Sequence, residues 1–325
     1  MTDVVVKFKN HVHCKVDTDV GVMQEICDYF TFDQPGARFM PQYRAKLWDG
    51  KVRLYSMFTQ ELYVGLIPYV KAFCEMNGYN FVNQVPDWNT NFDTAEFVHS
   101  LNLQGHGKPI TIRDYQIAAV DHSIKTGRAL LLSPTGSGKS LIIYSLVRYH
   151  LQQNRRQLIL VPTTSLVEQM FTDFKSYGYD SEEYCHRQYS GKDKSTDKFL
   201  TITTWQSIYK NPPEYFEQFD FVLGDEAHQF KAKSLTTIMT GLKNASYRIG
   251  CTGTIDGTQT HKLVLEGLFG PLYQSTTTSE LIKNKQLADF KIKCLVLKYP
   301  DEVCKEMKGK VILNKYNHFD SCIVE

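Results

Sequence analysis

At the start of the chain apolar and polar residues alternate. Val4, Val6, Phe8, Val12, Cys14 and Val16 share one phase, and Lys7, Lys9, His11, His13 and Lys15 the other. A period of two belongs to extended chain, so the pattern predicts strand with one buried and one basic face, Asn10 marking a turn within it. The spacing then becomes helical: Val22, Ile26 and Phe30 share a face, and Thr18 or Asp19 stands where a cap is needed. Asp49 and Gly50 are a two-residue turn signal between residues 46–48 and 51–55 and predict a hairpin. Pro68 opens a second helix carrying Val70, Phe73 and Cys74, and Gly78 closes it. Residues 1–85 therefore read as a small β-α-β-β-α-β domain.

Residues 86–110 break the periodicity. Pro86, Asn89, Asn91, Gly105, Gly107 and Pro109 make the stretch turn-rich, and it reads as a linker with one helix over 94–98. Past Arg113, short apolar runs at 129–133, 158–161, 199–203, 221–224 and 247–251 alternate with helical patterns such as 141–147 and 165–177. That alternation predicts an α/β domain over 111–290, built on a doubly wound parallel sheet. Residues 291–325 read as the start of a connecting region and a tail that the pattern does not place.

Composition bounds the function. With 325 residues, 42% of them hydrophobic, no apolar run able to span a bilayer and no signal peptide, the chain is expected to be a soluble cytoplasmic protein of about two domains. Its 8 cysteines show no Cys-x-x-Cys spacing, and His11, His13 and Cys14 lack a second ligand pair, which points to reduced thiols rather than zinc. A net charge of +2 is too small to define a nucleic-acid binder, so any basic surface is local. Arg38, Arg44, Lys46, Lys51 and Arg53 form such a cluster, with Tyr43 and Trp48 among them. Cations neutralise phosphates and aromatic rings stack on bases; the competing reading is a solvated basic face with Trp48 in the core.

The chemistry is densest at Ser133, Pro134, Thr135, Gly136, Ser137, Gly138, Lys139 and Ser140, between an apolar run and a helical pattern. Such a loop lets backbone N–H groups approach phosphate oxygens, with Lys139 reaching the β- and γ-phosphates of ATP and the Ser140 hydroxyl placed for Mg²⁺. The usual first glycine is Ser133 here. The apolar run 221–224 ends on Asp225 and Glu226, at the end of a strand where α/β sheets place ligands. Asp225 suits Mg²⁺ and Glu226 suits a water-activating base.

Ser133 to Ser140 taken with Asp225, Glu226, Ala227 and His228 resembles the superfamily-two helicases and translocases, whose first lobe is a RecA-like P-loop NTPase domain. Four further segments agree in order: 112–116, 161–169, 203–206 and 252–254. The resemblance implies that Arg113 and Gln116 read adenine, that Thr163, Thr164, Trp205 and Gln206 contact the nucleic-acid strand, and that Thr252 and Thr254 couple hydrolysis to movement. It gives His228 the link between the nucleotide site and the coupling motif, against the alternative of an ordinary core or surface histidine. Trp205 stays open between strand contact and core filling. Phe39, Met40 and Pro41, residues 47–55 and residues 65–67 resemble the amino-terminal domain of phage UvsW-type helicases, which act on branched DNA and RNA–DNA hybrids in recombination, repair and replication control. Partners implied are branched or duplex DNA and RNA–DNA hybrid, with no membrane and a monomer favoured.

The likeness runs to about residue 310. After Arg248 the chain has no arginine, whereas such motors take a catalytic arginine from a second lobe. The sequence is therefore expected to be one half of a motor, truncated or frame-shifted, with Arg113, Arg128 and Arg248 the candidates for an arginine in cis. Two alternatives stay open at this level: a restriction-type DNA translocase subunit, which would need a nuclease domain, and a nucleic-acid-binding module that holds ATP without turnover.

Overall fold

The computed structural model describes residues 3–86, 88, 91–105, 107–189, 196–229, 232–255 and 259–288. The connecting region and tail expected at 291–325 lie outside the described residues. Six strands precede residue 84: β1 (Asp3–Phe8), β2 (His13–Asp17), β3 (Thr31–Asp33), β4 (Lys51–Arg53), β5 (Glu61–Tyr63) and β6 (Asn80–Asn83). Four of them make a sheet in the order β5-β2-β1-β6, antiparallel except where β6 runs parallel to β1. Alternation has the consequence expected of it at Val4, Val6, Val12, Cys14 and Val16, which are buried, but Phe8, at the end of β1, is 41% exposed. The Asn10 carboxamide accepts from the N–H groups of Val12 and His13 and so fixes the turn. Helices Val20–Tyr29, capped by Asp19, and Ile67–Asn77, ended by Gly78, share a core with this sheet through Val22, Ile26, Val70, Phe73 and Cys74. The basic face is partly neutralised, with Lys7 paired to Asp17 and Lys9 to Glu61.

The hairpin expected around Asp49 and Gly50 takes a different form. Residues 46–48 are not a strand; β4 pairs with β3, Asp33 opposite Lys51 and Thr31 opposite Arg53. Residues 34–50 instead leave the ribbon through the turn Ala37–Phe39 and the helix Pro41–Arg44. Pro41 suits the first turn of a helix, and Lys46 at φ 55° and Gly50 at φ 79° reverse the chain, so the Asp-Gly turn is real but serves a longer excursion. The β-α-β-β-α-β unit accordingly becomes two adjoining sheets with this excursion between β3 and β4.

Residues 94–100 form the helix expected within the turn-rich stretch, capped by Asp93. Its Phe97 and Val98, with Leu103, are buried in the core of the second sheet. A two-strand ribbon follows, β7 (Gln104–Gly105) and β8 (Lys108–Pro109).

The second sheet contains β9 (Arg128–Leu132), β10 (Gln157–Val161), β11 (Cys185–Gln188), β12 (Leu200–Thr204), β13 (Phe221–Gly224), β14 (Tyr247–Thr252) and β15 (Leu272–Gln274). Their order is β11-β12-β10-β13-β14-β9-β15 and every pairing is parallel. Successive residues go to opposite cores. Ala129, Leu131, Ile159 and Val161 join the helices Asp114–Thr126, Lys139–Gln152 and Thr164–Ser176, whereas Leu130, Leu158 and Leu160 join Ala232–Gly241 and Gln259–Leu268. This is the RecA-like doubly wound architecture, and it needs apolar side chains on both faces, which is why its strands read as continuous apolar runs.

The small sheet region packs directly on the large one. A Cβ on Gly65 would lie 2.0 Å from Glu266 O, so only glycine allows that approach to the helix Gln259–Leu268. Tyr69 Oη donates to Glu266 Oε2 at 2.6 Å beside it. Residues up to Leu287 form one packed unit. No helix among the described residues is long and apolar enough to cross a membrane.

Candidate active site

The phosphate loop makes the turn from β9 into the helix Lys139–Gln152. Gly136 and Gly138 hold φ of 81° and 80°, where a side chain would be strained. A Cβ on Gly138 would stand 2.4 Å from Gln116 Nε2. Among the described residues, no acceptor meets the N–H groups of Gly136, Gly138, Lys139 and Ser140. These donors belong to residues that line a cleft of about 300 Å³ together with Thr135, Gln169, Asp173, Asp225 and Glu226. Unpaired amides at a helix start, with the positive end of its dipole, suit an anion.

Ser133 explains its own departure from glycine. Buried, it bonds Ser137 Oγ at 2.7 Å across the loop, and its N–H donates to Thr252 O at 2.9 Å. Behind the loop, Gln116 Nε2 and Tyr115 Oη both donate to Ser137 O, at 2.8 and 2.7 Å. Gln116 Oε1 accepts from Arg113 N at 2.9 Å, and Arg113 Nη1 donates to Tyr115 Oη at 2.9 Å. Arg113 and Gln116, far from the loop in sequence, are thus built into its back wall. Tyr115 was not singled out by the sequence; its place beside Gln116 on the first helical turn is the only local signal.

β13 delivers Asp225 and Glu226 to the same cleft, with β14 between it and β9. Glu226 has φ 50°, a strained value for a non-glycine residue. That turn aims its carboxylate at two partners: Oε1 accepts from Lys139 Nζ at 2.9 Å, and Oε2 lies 3.4 Å from His228 Nδ1. His228 Nδ1 is 2.7 Å from Thr252 Oγ1, whose hydroxyl donates to Thr254 O at 2.6 Å. A hydroxyl has one proton, so His228 Nδ1 must be the donor to Thr252. Polar contacts therefore run unbroken from Lys139 through Glu226, His228 and Thr252 to Thr254. Asp225 is 9% exposed, and burial, then the neighbouring Glu226 charge, push its carboxyl up to about 6 against the pull of Lys139.

The strand-contact candidates also meet at this edge of the sheet. β10 and β12 are paired with Val161 beside Thr204, so the exposed Thr163 and Thr164 after one strand adjoin Trp205 and Gln206 after the other. Gln206 Nε2 donates to Pro162 O at 3.2 Å, and Thr163 caps the helix Thr164–Ser176. Trp205 is half-buried against the core under β10, with Tyr209 edge-on at 6.3 Å.

Two groups of candidates are not brought to the cleft. Arg128 and Arg248 start β9 and β14, at the end opposite the phosphate loop. Arg248 is fully buried and donates to the carbonyls of Leu268, Leu242 and Met239, which end two helices, so it cannot serve as the arginine in cis. Arg128 donates to His11 O and lies 5.6 Å over the Trp88 ring. The cluster of Arg44, Lys46, Trp48, Lys51 and Arg53 belongs to the excursion and β4. There Arg38, Tyr43, Arg44, Lys46, Leu47 and Trp48 line an open groove of about 630 Å³. Trp48 is half-buried and its indole N–H donates to Lys51 O at 2.9 Å.

An amide-lined phosphate loop on a parallel sheet, with an acid pair on the strand beyond β14 and a contact chain to the end of β14, defines a P-loop nucleotide-binding lobe of the superfamily-two kind. Comparison narrows that class. The family description "DNA helicase UvsW, N-terminal" matches residues 3–84, and "Type III restriction enzyme, res subunit" matches residues 109–257. The ATP-dependent DNA helicase uvsW of Enterobacteria phage T4 is 33% identical over 319 residues, covering 95% of this chain and 63% of that protein. The DNA 3'-5' translocase XPB2 of Sulfurisphaera tokodaii is 28% identical over 201 residues, 62% of this chain and 43% of that protein. A crystal structure of the UvsW helicase from bacteriophage T4 superposes with a TM-score of 0.77 at 32% identity, covering 84% of this chain and 99% of that one. The chain belongs to the UvsW-type superfamily-two helicases. It spans less than two thirds of the length of these curated relatives.

Proposed function

We propose that this chain provides the ATP-binding lobe and a substrate-recognition region of an ATP-dependent DNA helicase or branch-migrating translocase. Its substrates are branched or duplex DNA and RNA–DNA hybrids, in recombination, repair and replication control within the cytoplasm, and it acts as a monomer. The observation that carries this reading is the set of loop amides without an acceptor among the described residues, around a Lys139 whose side chain is linked through Glu226, His228 and Thr252 to Thr254. The amides and Lys139 hold the phosphates. Ser140 and Asp225 fit Mg²⁺, because a cation offsets the burial that keeps the Asp225 carboxyl from ionising. Bound Mg²⁺ supplies charge neutralisation at the β- and γ-phosphates.

Glu226 accepts the proton of the attacking water; to do so it must release Lys139, which the nucleotide draws to its phosphates. The same release frees His228 to report the change to Thr252 and Thr254, at the edge where Thr163, Thr164, Trp205 and Gln206 meet the strand. Arg113 and the second Gln116 N–H face adenine. The exposed cations of the excursion contact the backbone of the branched substrate. Calorimetry of ATP with and without Mg²⁺, followed by ATPase assays with and without forked DNA, tests the reading. ATP binding independent of both Mg²⁺ and Lys139 removes the nucleotide site. Binding without DNA-stimulated hydrolysis even when a second motor lobe is fused on leaves a binding module, and DNA cleavage would instead favour a restriction-type subunit.

A further inference from the structure

The helix Lys139–Gln152 holds two inward serines that use their protons differently. Ser145 Oγ donates to Leu141 O at 2.9 Å, the usual recourse of a helical serine. Ser140 Oγ lies 2.8 Å from Tyr177 Oη instead. Tyr177 stands at the C-terminal cap of Thr164–Ser176, and its ring packs on Tyr144, one turn beyond Ser140, at 5.2 Å between centroids. The hydroxyl is therefore held in place by a ring that is itself wedged between two helices. Burial raises the Tyr177 pKa and keeps it protonated.

We infer that Tyr177 is a positioning residue for Ser140, accepting the serine proton so that the serine oxygen keeps its lone pairs for the cation that accompanies ATP. The inference rests on the proposed nucleotide site. A serine oxygen that ligates a metal must send its one proton elsewhere, and among the described residues Tyr177 Oη is the acceptor within reach. The helix that supplies it also lines the cleft through Leu166, Gln169, Met170 and Asp173 and is capped at its other end by Thr163. One rigid element thus joins the cation ligand to the strand-contact residues. No sequence motif marks Tyr177; only the helical spacing of Leu166, Met170, Asp173 and Tyr177 places it on the cleft side.

The test is the Mg²⁺ dependence of ATP affinity, measured by calorimetry on the whole chain for the parent, Tyr177→Phe, Ser140→Ala and the double variant. Tyr177→Phe keeps the ring on Tyr144 and removes the acceptor. ATP affinity without Mg²⁺ should stay at the parent value and the melting temperature fall by no more than a few degrees, while the Mg²⁺ concentration at half effect rises about three- to tenfold, the range for one lost hydrogen bond. Adding Tyr177→Phe to Ser140→Ala should change nothing further. A parent-like Mg²⁺ dependence in Tyr177→Phe, or an equal extra loss in the Ser140→Ala background, overturns the inference and makes Tyr177 a packing residue. A parent protein whose ATP affinity ignores Mg²⁺ shows instead that the nucleotide-site reading itself has failed, and Tyr177 with it.

Discussion

The cleft and the excursion at residues 34–50 both present charge, but they are built in opposite ways. In the cleft the polar groups are linked in series: Lys139 meets Glu226, Glu226 meets His228, and His228 meets Thr252. In the excursion Arg38, Arg44 and Lys46 stand exposed beside Phe39 and Leu47, which are 65% and 82% exposed, and Asp49 is the only acid between 34 and 50. Coupled, half-buried groups behave as one unit, whereas exposed charges act nearly independently and are screened by salt. Substitutions in the cleft should therefore be large, non-additive and specific to a step. Those in the excursion should be smaller, additive and salt-dependent.

The largest effect is expected at Glu226. Joined to a second motor lobe, Glu226→Gln keeps an oxygen for Lys139 but no base, so ATP should bind while hydrolysis falls by roughly 10² or more. Single-turnover kinetics at parent-like rates would show that another residue activates the water. Next comes Lys139→Ala, which removes the cation proposed to reach the phosphates and should weaken Mg-ATP about tenfold or more, around 1.4 kcal/mol, by calorimetry. It also leaves Glu226 without its ion-pair partner. The two variants combined should consequently fall short of the sum of their separate effects.

Asp225 ties the cleft to stability. Its folded pKa of about 6 lies above the ordinary 3.8, so between those values the folded state holds more protons than the unfolded state. Stability from this group is present below about pH 4 and lost as pH rises through about 6, roughly 2–3 kcal/mol in all. Asp225→Asn should thus be more stable than the parent at pH 7–8 and indistinguishable near pH 4 in urea titrations, while losing Mg-dependent ATP binding. A variant no more stable than its parent at pH 8 would place the charged carboxylate in a more polar setting than its burial suggests.

The two regions also differ in how far the sequence revealed them. Residues 133–140 and the pair Asp225 and Glu226 are contiguous, and the strand before each is an apolar run, so loop and acid pair could be read locally. What stayed hidden depends on pairings between distant segments. Ser133 looks like a defect until Ser137 and Thr252 are seen to hold it. Arg248 looks like a free cation until its carbonyl partners at two helix ends appear. In the excursion the Asp-Gly turn was legible, but its strand partner was not, because β4 pairs with β3 across residues 34–50 rather than with its near neighbours. Periodicity reports which residues are buried, not which strand they bury against.

The smallest predicted effect separates cations inside the excursion region itself. Arg53 Nη2 is paired with Asp49 Oδ2, and that guanidinium, with the Lys51 N–H, holds the Asp49 carboxyl down at about 2. Arg44, Lys46 and Lys51 have no acidic partner among the described residues. Each free cation that meets a duplex phosphate should lower the salt slope of DNA binding by about 0.9 log unit when changed to Ala. Arg53 must first give up Asp49, so Arg53→Ala should change the slope by clearly less than Lys51→Ala, its neighbour on the same strand. Asp49→Asn should in turn make Arg53 behave like the others. Fluorescence anisotropy of forked DNA across a salt series measures all of these, with ATP affinity unchanged in each variant. Equal slopes for Arg53→Ala and Lys51→Ala would mean that the pair with Asp49 does not persist in solution, and the excursion would then be a uniform basic surface rather than one with a shielded edge.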